Sequence, residues 1–104
     1  MTDRIEKLKA FLRQSPDDCF LNHALALEFV KLGNDKEAKI LFYKNITTDP
    51  TYVASYYHLA KLLERLTQSD EAVKIYEAGM IEAKKAGDTH SYSELQSAYE
   101  DLIY

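Results

Sequence analysis

The chain has 104 residues, a length that fits one domain with a core that needs no disulfides. Hydrophobic residues make up 46% and charged residues 29%, which excludes disordered and membrane classes, and 3 Gly with 2 Pro argue against a turn-rich β fold. The net charge of -4, with basic and acidic residues interleaved, argues against nucleic-acid binding as the main task, although a small basic patch on one face stays open.

Apolar periodicity predicts an all-α chain of about six helices. In chain order, the first five span about 2–14, 18–32, 35–47, 52–66 and 69–86, and a last helix follows. The first carries Phe11 in its apolar stripe and stops before Pro16, and the third stops before Pro50. Gly33 and Gly87 suit left-handed caps at two other helix ends, and the short loops predict antiparallel neighbours.

Polar residues at the helix starts predict the N-caps. Asp3 with Glu6, and Ser91 with Glu94, have the spacing of a capping box, and Ser69 is a predicted cap for the fifth helix. These caps would satisfy backbone N–H groups that have no partner within the helix.

The chain repeats itself with an offset of 34 residues. The offset pairs Leu25 with Leu59, Ala26 with Ala60, Leu32 with Leu66, Glu37 with Glu71, Ala38 with Ala72, and Phe42 with Tyr76. Most of these positions are apolar or small, where helix packing would constrain the residue.

Residues 19–52 and 53–86 resemble tetratricopeptide repeats, because their large, small and aromatic positions follow that family's pattern twice in one register. The resemblance implies a right-handed α-solenoid of antiparallel helix-turn-helix units. We expect one domain over 1–104, with an N-terminal half repeat at 1–16 and a C-terminal capping helix at 89–104. Four residues depart from the pattern. They are Asn22, Asn45, Thr67 and Lys84, and Thr67 would cost about 1 kcal/mol if its backbone is left-handed.

The residue types of catalytic and metal sites do not form a pattern here. His23, His58 and His90 lack metal-ligand spacing, and there is no Gly-rich phosphate loop. Cys19 and His23 are four residues apart, a spacing that leaves a metal or an activated thiol open, although a buried inert cysteine is the simpler interpretation. We expect no enzyme activity, no cofactor and no metal.

The same cysteine bears on location. With no second cysteine, Cys19 cannot form an internal disulfide, which fits a reducing compartment. Charges interrupt the first residues, so they lack the apolar stretch of a signal peptide, and no segment approaches the roughly 18 apolar residues of a membrane span. We expect a cytoplasmic protein with neither nucleic-acid nor membrane partners.

The resemblance implies that the first helix of each repeat lines a concave groove. The residues predicted to line it are Phe20, His23, Leu27, Lys31, Tyr57, His58, Lys61 and Arg65. We expect this groove to bind a peptide or helix of another protein, with Phe20, Leu27 and Tyr57 as anchors. An ordinary solvated face, or one covered by the last helix, is the alternative.

Two further expectations concern the partner. Some family members grip the C-terminal carboxylate of heat-shock chaperones, but the Lys and two Asn of that clamp are absent here, so a chaperone-tail receptor is not expected. The alternative function is homo-oligomerisation, in which a homodimer covers apolar stripes of the terminal helices. The partner, the pathway and the oligomeric state do not follow from the sequence.

Overall fold

The computed structural model describes residues 2–104, and within them it contains α-helices and no β-strand. The helices are α1 (Thr2–Gln14), α2 (Cys19–Lys31), α3 (Asp35–Thr48), α4 (Ala54–Arg65), α5 (Ser69–Ala86) and α6 (Thr89–Ile103). The all-α prediction is therefore confirmed, and the bounds differ from the predicted ones mostly at the helix starts.

The helices group into two compact units, one up to Asp49 and one from Pro50 to Tyr104. The expected organisation as one domain with parts 1–16, 19–52, 53–86 and 89–104 stays a prediction.

In the first unit, α2 packs against both α1 and α3. Ile5 and Leu8 of α1 meet Ala24 and Leu25 of α2 in one apolar cluster. Phe11 was predicted to lie in this stripe, but 59% of it is exposed. The reason is geometric. Phe11 lies roughly 120° around the helix from Ile5, outside the narrow face that α1 turns toward α2.

In the second unit, α5 packs against both α4 and α6, and α6 also touches α4. Five large side chains are almost fully buried there. They are Tyr76, Leu59, Leu62, Leu63 and Leu95. A Cβ built on Gly79 would lie 2.7 Å from Tyr56 Cβ and 3.1 Å from Leu95 Cδ1. Glycine therefore lets α5 approach both neighbours closely.

The turns after α2 and α4 have the same backbone geometry at positions 34 residues apart. Gly33 has φ 78° and Thr67 has φ 59°. The N–H of Asn34 donates to Phe29 O at 2.9 Å, and that of Gln68 donates to Leu63 O at 2.8 Å. The prediction that Thr67 would be left-handed if the turns matched is therefore confirmed.

The N-caps differ from those predicted. The carboxylate of Asp88 accepts the N–H of Ser91 at 3.0 Å, so α6 begins at Thr89 and Ser91 lies inside its first turn. α5 is preceded by Gln68 and has no side-chain capping bond, and α1 begins at Thr2, which leaves Asp3 in its first turn. An earlier acidic residue with the right geometry displaces the serine predicted at α6, because a carboxylate is a strong acceptor at the positive helix end.

Candidate partner-binding surfaces

The predicted residues of the first unit lie along one side of α2. Phe20 is 67% exposed, Leu27 is half-buried and Lys31 is exposed. His23 is different, because only 9% of it is exposed and its ring meets the Phe42 ring edge-on at 5.5 Å. His23 therefore packs in the α2–α3 interface, and its place in an open groove wall is a correction to the sequence-based expectation.

The charge of Lys31 is engaged within the unit. Its Nζ lies 3.2 Å from Glu28 Oε2, and Arg4 Nε lies 3.1 Å from the same oxygen. The hydrogen bond from Lys31, with a second from Arg4, lowers the pKa of the Glu28 carboxyl, although burial opposes the shift. The corresponding residue one repeat later is Leu62, which is fully buried. The first unit thus places an ion-pair cluster where the second has an apolar contact.

In the second unit, Tyr57 and His58 are half-buried on α4, with their rings 5.5 Å apart and nearly perpendicular. Burial lowers the pKa of His58, and the nearby carboxylate of Glu94 on α6 opposes that shift. The last helix therefore reaches this part of α4, as one of the alternatives proposed.

The basic residues of α4 do not form a uniformly positive face. Lys61 Nζ lies 3.8 Å from Glu64 Oε2, and the Tyr76 hydroxyl donates to that same carboxylate oxygen. Arg65 is exposed in the last turn of α4. Burial and the hydrogen bond to Glu64 raise the pKa of Tyr76 far above its usual range, so it stays a neutral donor. The face combines an aromatic pair with charges of both signs.

The Cys19 thiol does not have the surroundings of a nucleophile. Burial raises its pKa, and three carboxylates, led by Asp49, add to the rise. An activated cysteine needs the opposite, a depressed pKa beside a cation. In the described part of the chain, no group of three or more His, Cys, Asp or Glu residues could hold a metal ion. No helix in residues 2–104 is long and apolar enough to cross a membrane.

The structure adds a surface residue and a cavity that sequence reasoning missed. Phe11 occupies the position 34 residues before Asn45 and 68 before Gly79, where the other units carry small or polar residues, and that mismatch could have flagged it as exposed. An open cavity of about 380 Å³ lies at the α5–α6 turn. It is lined by Ala83, Lys84, Gly87, Asp88, Thr89 and Tyr92, none of which was predicted to bind a partner.

Comparisons with known proteins agree with this geometry. Residues 53–80 match the family model described as tetratricopeptide repeat. The solution structure of a tetratricopeptide repeat domain protein from Salinibacter ruber is 42% identical, with a TM-score of 0.81, and the match covers 85% of this chain and 89% of that one. A search of curated protein sequences found no match.

Two more distant structures share the fold. A protein from Bordetella parapertussis is 26% identical with a TM-score of 0.80, covering 94% of this chain and 85% of that one. The TPR2B domain of yeast Sti1, solved in a complex with pHsp70, is 19% identical with a TM-score of 0.87, covering 94% of this chain and 78% of that one. The predicted tetratricopeptide-type solenoid is confirmed by these matches, and tetratricopeptide domains are typically non-catalytic protein-interaction modules. The extent and identity of the match to the Salinibacter ruber protein show that this chain belongs to the tetratricopeptide repeat family.

Proposed function

We propose that this chain binds a peptide or helix of another protein through the exposed residues of α2 and α4. The observation that carries the proposal is Phe20, an aromatic residue held 67% exposed on a helix whose neighbouring residues are packed. Large aromatic side chains on rigid elements are frequent anchors of protein interfaces, because they bury much area and lose little conformational entropy. The complex of the Sti1 domain with pHsp70 supports partner binding by this fold.

The proposal assigns different roles to the two helices. On α2, Phe20 and Leu27 supply an apolar contact beside the ion pair of Lys31. On α4, Tyr57 supplies an aromatic contact and Arg65 a cation. His23 supports Phe42 from within and does not contact the partner. A chaperone tail is not the expected ligand, because His23, Leu27 and His58 occupy places where the carboxylate clamp of such receptors has its Lys and Asn.

The test begins with affinity capture of partners on the immobilised chain, their identification, and affinity measurement with the purified partner. We expect Phe20→Ala to weaken binding about tenfold or more, and the double variant Tyr57→Ala, Arg65→Ala to weaken it comparably. Ile40→Ala is the control, since Ile40 is 60% exposed on α3, away from both helices. Undiminished affinity in all the α2 and α4 variants would remove this assignment.

We also propose that the chain acts in the cytoplasm as a non-catalytic scaffold without a cofactor. The raised pKa of Cys19 supports this, because it disfavours both thiolate chemistry and metal ligation. Stoichiometric zinc in a metal analysis of the purified protein, or turnover of a defined substrate, would contradict it.

A second candidate function is self-association. Two exposed apolar groups favour it, Phe11 on α1 and the pair Ile103 and Tyr104 at the end of α6. Exposed apolar residues on terminal helices are places where solenoid proteins meet one another. Light scattering over a range of protein concentrations tests this candidate, and a constant monomer mass would reject it.

A further inference from the structure

Two aromatic side chains lie exposed at the same end of the α1–α2 pair. The Arg4–Glu28 contact joins the start of α1 to the later part of α2, so the two helices run antiparallel. Phe11 lies about 10 Å along α1 from Arg4, and Phe20 lies about 12 Å along α2 from Glu28, in both cases toward the connecting loop. With exposures of 59% and 67%, the two rings form an uncovered aromatic surface near the loop.

The same surface is basic within an acidic protein. α1 carries four basic residues, Arg4, Lys7, Lys9 and Arg13, against Asp3 and Glu6. Lys7 and Phe11 are four residues apart and share a face of the helix. Lys31 adds a third cation beside Arg4, and Glu28 offsets only one of the two. Near the loop, Asp18 accepts from Leu21 N and Asp17 pairs with Lys44. We call Arg4, Lys7, Phe11, Phe20 and Lys31 the α1–α2 surface.

The last turn of α6 has the complementary chemistry. Glu100 and Asp101 are exposed there, Ile103 is 39% exposed and Tyr104 is 96% exposed. α6 contains Glu94, Glu100 and Asp101 but no Lys or Arg. Carboxylates at a helix C-terminus oppose the helix dipole, which a nearby cation would relieve. We call Glu100, Asp101, Ile103 and Tyr104 the α6 end.

We infer that the α1–α2 surface of one copy binds the α6 end of a second copy. This inference rests on the second candidate function, self-association, and replaces a symmetric pairing of like helices with contact between two unlike surfaces. Ile103 and Tyr104 meet Phe11 and Phe20, while Glu100 and Asp101 meet Lys7 and the Arg4–Lys31 pair. Because the two surfaces differ, the contact is heterologous. Phe20 belongs also to the proposed partner-binding face, so a second copy and a partner compete for it.

The test measures the mass of the 104-residue chain against concentration by analytical ultracentrifugation. We expect association that weakens with added salt. Lys7→Glu and Glu100→Lys should each weaken it about tenfold. An equimolar mixture of these two variants should associate again, because the former keeps the intact α6 end and the latter keeps the intact α1–α2 surface. Phe11→Ser should weaken association similarly.

Two controls are matched to these variants. Lys36→Glu makes the same charge change at an exposed position of α3, and Ile40→Ser removes an apolar side chain as exposed as Phe11. Both should associate as the unaltered chain does, and circular dichroism checks that every variant stays helical. A chain that is monomeric at all concentrations overturns self-association itself. Association that persists in Lys7→Glu and Glu100→Lys, or a mixture that stays dissociated, overturns the assignment of these surfaces alone.

Discussion

At the scale of single residues, repeat-equivalent positions solve one problem with different chemistry. Asn22 Nδ2 donates to Pro16 O at 3.0 Å, and the Tyr56 hydroxyl donates to Pro50 O at 2.7 Å. Both pairs are offset by 34 residues. Asn22 departs from the family's large residue at this position, yet it keeps the hydrogen bond that ties the helix to the preceding loop. The hydrogen bond, rather than the volume of the side chain, is what the two units share here.

Thr67 offers a stability prediction at this scale. Its φ of 59° lies in the region that costs a residue with a β-carbon about 1 kcal/mol, whereas its equivalent, Gly33, adopts φ 78° without that cost. We expect Thr67→Gly to increase the free energy of unfolding by about 1 kcal/mol, measured by urea denaturation. The reverse change, Gly33→Thr, should decrease it by a similar amount. A destabilised Thr67→Gly protein would show that the hydroxyl contact to Leu66 O matters more than the backbone.

Glu28 gives a pH prediction. Its pKa in the folded protein is lowered from 4.5 by hydrogen bonds from Lys31 and Arg4, so ionised Glu28 stabilises the folded state above that ordinary value. This stabilisation is lost as the pH falls through the lowered folded pKa. We therefore expect the difference in unfolding free energy between the unaltered protein and Glu28→Gln to shrink between about pH 6 and about pH 3. A constant difference across that range would contradict the ion-pair cluster.

At the scale of elements, the start of α6 depends on one side chain. Asp88 accepts the backbone N–H of Ser91 and also its hydroxyl, at 3.0 Å and 2.7 Å. The two bonds from Ser91 lower the pKa of Asp88, which keeps the cap ionised. This geometry fixes the first turn of the helix that supplies Leu95 and Ala98 to the core.

We expect Asp88→Ala to decrease the free energy of unfolding by about 1 kcal/mol, a typical cost of removing an N-cap. Thermal or urea unfolding followed by circular dichroism measures it. Ser69→Ala is the matched control, because Ser69 is the first residue of α5 and is not its N-cap. An equal loss in both variants would favour the serine caps that the sequence suggested.

At the scale of the whole molecule, burial and charge are unevenly divided. Of the large, almost fully buried apolar side chains, Tyr76, Leu59, Leu62, Leu63 and Leu95 lie in residues 50–104, and only Phe42 lies before Asp49. Residues 1–49 carry eight basic and eight acidic residues, whereas residues 50–104 carry five and nine. The net charge of -4 therefore belongs to the second unit.

This asymmetry predicts different behaviour of the two units when each is expressed alone. We expect residues 50–104 to show a helical circular dichroism spectrum and a cooperative thermal transition, because their core is built from large side chains of their own three helices. Residues 1–49 should be less helical and melt at a lower temperature. The reverse order of stability would show that the burial of large side chains does not decide which unit folds alone.

The sequence by itself determined the helices, the 34-residue repeat and the family, since apolar spacing, glycine at the turns and proline after helices act locally. It also anticipated the left-handed backbone of Thr67, because the repeat places that residue opposite Gly33. Only the tertiary structure decided which face of each helix is covered. It buried His23 against Phe42, exposed Phe11, and paired Lys31 and Lys61 with carboxylates of their own helices. Side-chain exposure depends on where neighbouring helices pack, and helical periodicity specifies a stripe without specifying its width.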